Sequence, residues 1–122
     1  MNIYFACSIT GGRELESVYQ AFVAALSADG HTIPTAHLAS PGLTEEAALT
    51  PRAVYERDTA WIRDCDALIA EVSVPSHGVG YEVGYALNAA KPVLFASGGA
   101  QVDKDDRRES ASSSEGAILC DG

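Results

Sequence analysis

The chain has 122 residues, 47% of them hydrophobic, and its eight Lys and Arg against seventeen Asp and Glu give a formal net charge of −9. That size and apolar content suit one domain over residues 1–122 with a core of its own. The acidic balance excludes long nucleic acid as a partner, since that needs a basic footprint, and no apolar run is long enough to span a membrane.

The N-terminal run Met1-Asn2-Ile3-Tyr4-Phe5-Ala6-Cys7 lacks the basic start of a signal peptide and reads as a first strand over residues 2–7. A helix is predicted from about Arg13 to Ala28, because Leu15, Val18, Phe22, Ala25 and Leu26 recur at helical spacing and Gly30 follows as a stop. Residues 31–36 read as a second strand, made edge-like by Pro34. Residues 38–50 are turn formers and small residues, a loop with one helical turn at most. Thr50-Pro51 is an N-cap followed by Pro at the first helical position, opening a helix to about Cys65.

Residues 66–72 form a nearly all-apolar third strand, as expected of a central one. A helix then runs from the Gly-rich segment to Ala90, residues 92–96 make a fourth strand, and residues 117–120 make a short fifth. Between them, residues 97–116 are polar, charged and without periodicity, the composition of a flexible loop. Strands alternating with helices, and no hairpin signal, predict an α/β fold. The expected form is a Rossmann-like three-layer sandwich, with a parallel sheet of four to five strands and helices on both faces. Ligands of such sheets bind at the carboxyl ends of the strands. The residues following those ends can therefore share one site.

Among them, Ser76-His77-Gly78-Val79-Gly80-Tyr81-Glu82 places a hydroxyl, two glycines and a carboxylate where a helix begins. Free helix N–H groups attract an anion, and glycines let it approach the backbone. Glu82 is expected in the first turn, where the helix dipole favours its ionised form. A plain Gly-rich loop with a solvated Glu fits the same residues. Asp58 lies four after Val54 and three before Trp61, on the apolar stripe of its helix, where a carboxylate must be paired or functional. A rim Asp bonded to backbone N–H is the structural alternative. Asp58 and Glu82 converging from two helices would suit cleavage of a glycosidic bond, in which one group stabilises or traps the cationic sugar. Tyr4 is either a half-buried strand aromatic or a hydroxyl that orients a carboxylate. His37 begins the loop after the second strand and is either solvated or in contact with a base.

The remaining signals are negative. Gly78, Gly80 and Gly84 miss the dinucleotide spacing by one residue, and the His and Cys positions have no metal-ligand spacing. No metal and no cofactor is expected. Cys7, Cys65 and Cys120 are too scattered for a disulfide framework and read as reduced thiols of a cytoplasmic protein.

Tyr4-Phe5-Ala6-Cys7-Ser8-Ile9-Thr10-Gly11-Gly12-Arg13, Arg57-Asp58 through Trp61, and Pro75-Ser76-His77-Gly78-Val79-Gly80-Tyr81-Glu82-Val83-Gly84 together resemble the 2′-deoxynucleoside 5′-phosphate N-hydrolases (the Rcl group) of the nucleoside 2-deoxyribosyltransferase superfamily. The resemblance covers roughly residues 3–95, with three motifs in order. It implies a homodimer that hydrolyses a deoxynucleoside monophosphate to free base and deoxyribose 5-phosphate. It makes Glu82 the nucleophile, Tyr4 its positioner, and Asp58 a sugar ligand or aid to base departure. Ser8, Gly12, Arg13, Ser76 and Gly78 fall in the substrate-binding loops, with Ser8, Ser76 and Gly78 at the 5′-phosphate, and Ile9 and His37 would line the base pocket. Two departures stand out. Thr10 replaces an Arg frequent in the group, and the region after Phe95 aligns poorly, leaving Ser110 as the candidate for a Ser that reaches the partner's phosphate. A base-exchanging deoxyribosyltransferase and a non-catalytic nucleotide-binding module are the competing expectations.

Overall fold

Two short apolar segments, Ile3–Ala6 and Ala67–Glu71, are buried along almost their whole length, so each needs cover on both sides. The computed structural model describes residues 1–9, 15–39, 48–97 and 118–120. Within them the chain forms β1 (Ile3–Ala6), α1 (Glu16–Ala28), a 3-10 turn (Ala36–Ala39), α2 (Pro51–Asp64), β2 (Ala67–Glu71), α3 (His77–Asn88), β3 (Val93–Ala96) and β4 (Ile118–Cys120). β1 pairs in parallel with β2 (Ile3 opposite Ala67), and β2 with β3 (Leu68 opposite Val93).

Side-chain alternation along these strands divides the core in two. Tyr4, Ala6, Leu68, Ala70 and Val93 pack with Ile62 of α2 and with Val79 and Ala86 of α3. Ile3, Phe5 and Ile69 face the other way, onto Tyr19, Phe22 and Leu26 of α1. Phe5 stacks on Phe22 at 5.5 Å and meets the edge of Tyr19 at 6.2 Å. The helices begin where the sequence marks them. The Thr50 hydroxyl accepts from Ala53 N–H at 3.1 Å ahead of Pro51, and the Ser76 hydroxyl accepts from Val79 N–H at 3.3 Å. Gly30, at φ 88°, ends α1 in a conformation that a side chain disfavours. No helix among the described residues is long and apolar enough to cross a membrane.

The α/β class and the parallel sheet agree with the sequence, but among the described residues three strands run parallel rather than the expected four to five. The sheet has the order β1-β2-β3-β4, and β4 runs antiparallel to β3 (Phe95 opposite Ile118). A parallel neighbour needs a crossover, usually helical, and Asp103–Ser114 has no helical periodicity. Residues 31–36 contribute only a single bridge, Asn2 to Thr32. Pro34 has no N–H to give a ladder. Instead the Thr35 hydroxyl accepts from Phe5 N–H at 3.1 Å and donates to Phe5 C=O at 2.8 Å, so one side chain seals the edge of β1. The predicted loop at residues 97–116 lies outside the described residues beyond Ser97.

Thr35 is 1% exposed, so Thr35→Val would leave two buried backbone groups unpaired, at about 1–3 kcal/mol each. Thermal unfolding should show Tm falling by at least about 4 °C, with Thr35→Ser losing much less. An unchanged Tm in the Val variant would contradict this sealing role.

Candidate active site

The chain leaves β1 and β2 on the same edge of the sheet, and a cavity of about 410 Å³ opens there. Ser76, Gly78, Val79 and Glu82 from the start of α3 form one side of it. Cys7 and Ile9, just past β1, face them, and Pro75 and His77 complete the rim.

Capping by Ser76 sets this geometry. It starts α3 at His77, which places Glu82 in the second turn rather than the expected first, and no acidic residue lies in the first turn. Glu82 follows Val79 by three and precedes Ala86 by four, and both of those are buried. Its carboxyl is thereby held at the edge of the core rather than beside the helix N-terminus. A Cβ added at Gly78 would sit 3.7 Å from Ser76 Oγ and 3.9 Å from Glu82 Oε1. The bare Cα at Gly78 thus keeps open the slot between that hydroxyl and that carboxyl. Gly80 and Gly84 have open space around them, so neither is needed for a close approach.

Burial, not the helix dipole, governs Glu82. Desolvation raises its pKa from 4.5 to about 7. Tyr4 and the Arg57 guanidinium pull it back down, while the negative charge of Asp58 pushes it up. The sequence expectation of a readily ionised Glu82 is therefore overturned. Tyr4 is 1% exposed in β1. Burial, followed by the Glu82 carboxyl, drives its phenol far upward, so it stays a proton donor at every working pH. Asp58 does not stand as a lone carboxylate. Arg57 grips its Oδ1 through Nε at 2.9 Å and Nη2 at 2.8 Å, and both side chains are mostly covered. The same guanidinium lies 4.7 Å from the centre of the Trp61 ring. β1, α2 and α3 therefore bring one phenol, two carboxyls and one cation together.

Of the residues singled out in the sequence, Ile9, Ser76, Gly78 and Glu82 line the cavity, and Tyr4 and Asp58 act on Glu82 from behind it. Ser8 lies between the lining residues Cys7 and Ile9, and its buried hydroxyl has no hydrogen-bond partner among the described residues. His37 stands apart from the cavity lining, edge-on to Trp61 at 5.8 Å. Gly12 and Arg13, like Thr10 and Ser110, lie outside the described residues. Sequence reasoning missed Arg57 as a charge partner. Its signal is the Trp four residues on, one helical turn away and in reach of a guanidinium. It also missed Cys7, whose thiol is pushed up to about 12 by burial and by Glu82, and Glu71, a carboxylate closing an otherwise apolar strand.

A family model described as nucleoside 2-deoxyribosyltransferase matches residues 3–111. The chain belongs to this family. It is 44% identical over 96 residues to 5-hydroxymethyl-dUMP N-hydrolase of Mus musculus, covering 76% of this chain and 55% of that protein. It is 40% identical over 96 residues to the protein of the same name in Danio rerio, covering 77% and 66%. The chain thus spans between about half and two thirds of the length of these relatives. The fold is also that of a Clostridium botulinum CMP N-glycosidase, BcmB, with a TM-score of 0.59 at 20% identity over 80% of this chain and 69% of that one. Within the family, Tyr4, Asp58 and Glu82 fall on the three segments that carry the sequence resemblance.

The raised pKa of Glu82 has a stability consequence of definite sign. The fold favours the protonated form, so this stabilisation is complete below about pH 4.5 and is lost as pH rises through 7. Glu82→Gln mimics the neutral form. At pH 8 it should raise Tm by about 3–8 °C, corresponding to roughly 1–2 kcal/mol, and the gain should shrink toward zero at pH 5. A variant less stable than the wild type at pH 8 would contradict the desolvation account.

Proposed function

We propose that this protein hydrolyses the N-glycosidic bond of (deoxy)nucleoside 5′-monophosphates, releasing free base and (deoxy)ribose 5-phosphate. The observation that carries the reading is the Glu82 carboxyl. It has a pKa near 7 and borders a cavity beside the Ser76 cap and the open Gly78 slot. The names of the mouse and zebrafish relatives, N-hydrolases of a nucleoside monophosphate, support the substrate class.

In this reading Glu82 ionises and attacks C1′ of the sugar. The C1′–N bond breaks, its electron pair leaves with the base, and the base takes up a proton. Water then attacks C1′ of the glycosyl ester and regenerates the carboxylate. Tyr4 steers the attacking carboxylate, and Asp58, clamped by Arg57, holds the sugar or aids base departure. Ser8, Ser76 and Gly78, with the first N–H groups of α3, hold the phosphate. Gly12 and Arg13 extend the substrate-binding loop, and Ile9 and His37 meet the base. A single domain acting as a homodimer in the cytoplasm belongs to the same proposal. It rests on the sequence resemblance and on the free thiols of Cys7 and Cys65. The phosphate cradle favours hydrolysis over base exchange, since exchange relatives handle unphosphorylated nucleosides.

The test is a panel of deoxynucleoside and ribonucleoside 5′-monophosphates and the matching nucleosides, read by released base. At least one monophosphate should be cleaved, with kcat/KM falling below about pH 7 as Glu82 protonates. The unphosphorylated nucleoside should be at least about tenfold poorer, as loss of a charge-assisted contact implies. Equal turnover of the nucleoside would remove the phosphate cradle. Transfer of the sugar to an added second base would favour the transferase, and tight nucleotide binding without any release of base would favour the binding module.

A further inference from the structure

A second buried carboxylate takes no part in that mechanism. Glu71 closes β2 and is 0% exposed. A polar side chain so buried is costly unless it is hydrogen-bonded. Glu71 Oε1 accepts from Ser73 N–H at 3.1 Å and from the Ser73 hydroxyl at short range. Ser73 Oγ in turn lies 3.4 Å from Ser97 Oγ, just past β3. On the α1 side, burial and then the nearby Glu71 push the Tyr19 phenol up to about 12.

The alternation of β2 explains the placement. Leu68 and Ala70 face α2 and α3, so Ile69 and Glu71 face α1. Glu71 and Glu82 thus lie on opposite faces of the sheet, at the same edge. Through Ser73 the Glu71 carboxylate is joined to groups that follow the ends of two parallel strands, Ser73 itself past β2 and Ser97 past β3. Ser8 and Ser76, three residues beyond Ser73, are the two hydroxyls of the proposed phosphate cradle.

We propose that Glu71 is a positioning residue for anion binding: the strap Glu71–Ser73–Ser97 fixes the loop that carries Ser76. This rests on the reading of the Ser76 hydroxyl as part of the phosphate cradle and adds what holds it in place. Loosening the strap should weaken capture of the phosphate and leave Glu82 chemistry largely intact. A purely structural role for Glu71 would lower Tm without changing KM.

The experiment uses the full chain as Ser73→Ala, Ser73→Thr and Glu71→Gln. It reads KM and kcat for a cleaved deoxynucleoside 5′-monophosphate, together with calorimetric binding of inorganic phosphate. Ser73→Ala should raise both KM and the phosphate Kd about three- to tenfold with kcat within about twofold, and Ser73→Thr should restore both. Glu71→Gln should exceed Ser73→Ala, and if it fails to fold, the Ser73 pair decides. Absent turnover in the wild type, with phosphate still bound more weakly by Ser73→Ala, would sink the hydrolase reading and keep the strap. Phosphate Kd and KM unchanged in Ser73→Ala, or no phosphate binding by any form, would overturn the strap.

Discussion

Removing the Glu82 carboxyl from water is the constraint on which the site depends. A solvated carboxyl would be ionised throughout the neutral range and would hold its charge too well to give it up to a sugar carbon. A fully buried and unassisted one would stay protonated and inert. Here desolvation raises the group, and Tyr4 and Arg57 restrain the rise, so that it stands near pH 7. Asp58 acts in the opposite direction, and its effect is limited because Arg57 holds it at 2.8 Å. No member of this set stands alone. Removing Arg57 would release the charge of Asp58 onto Glu82, and removing Tyr4 would take away the donor that favours the ionised form.

The sheet makes that balance possible. Parallel pairing brings the ends of β1 and β2 to one edge, and the alternation of β1 turns Tyr4 toward α2 and α3. The serine cap fixes the first residue of α3, and the helical period then decides which side chain reaches the cavity. A cap one residue earlier or later would rotate Glu82 by about 100° around the helix. The opposite face holds its own buried carboxyl, Glu71, bonded to the loop that follows β2.

Much of this was legible in the residues. The apolar runs at β1 and β2, the Thr50-Pro51 start of α2 and the period of α3 name their elements directly. A carboxylate beside an apolar stripe exposed Asp58 and Glu82 as candidates. Local pattern did not reveal how groups from distant segments meet. The strand expected at residues 31–36 failed because a Thr hydroxyl replaced a backbone ladder. β4 runs antiparallel to β3, in keeping with a sequence between them that has no helical periodicity to signal a crossover. Glu82 is harder to ionise than its place near a helix start suggests, because it lies one turn past that start and its burial is a tertiary effect. Glu71 was hidden for the same reason, since its full burial is a tertiary effect.

The central claim is that Glu82 itself forms the bond to the sugar. Its most direct test is rapid quenching of a single turnover with a cleaved deoxynucleoside 5′-monophosphate, followed by intact-mass and peptide analysis. The account predicts a transient gain of one deoxyribose 5-phosphate unit on the peptide holding Glu82, with neither adduct nor base release in Glu82→Gln. An adduct on another residue, or base release by Glu82→Gln at the wild-type rate, would contradict it.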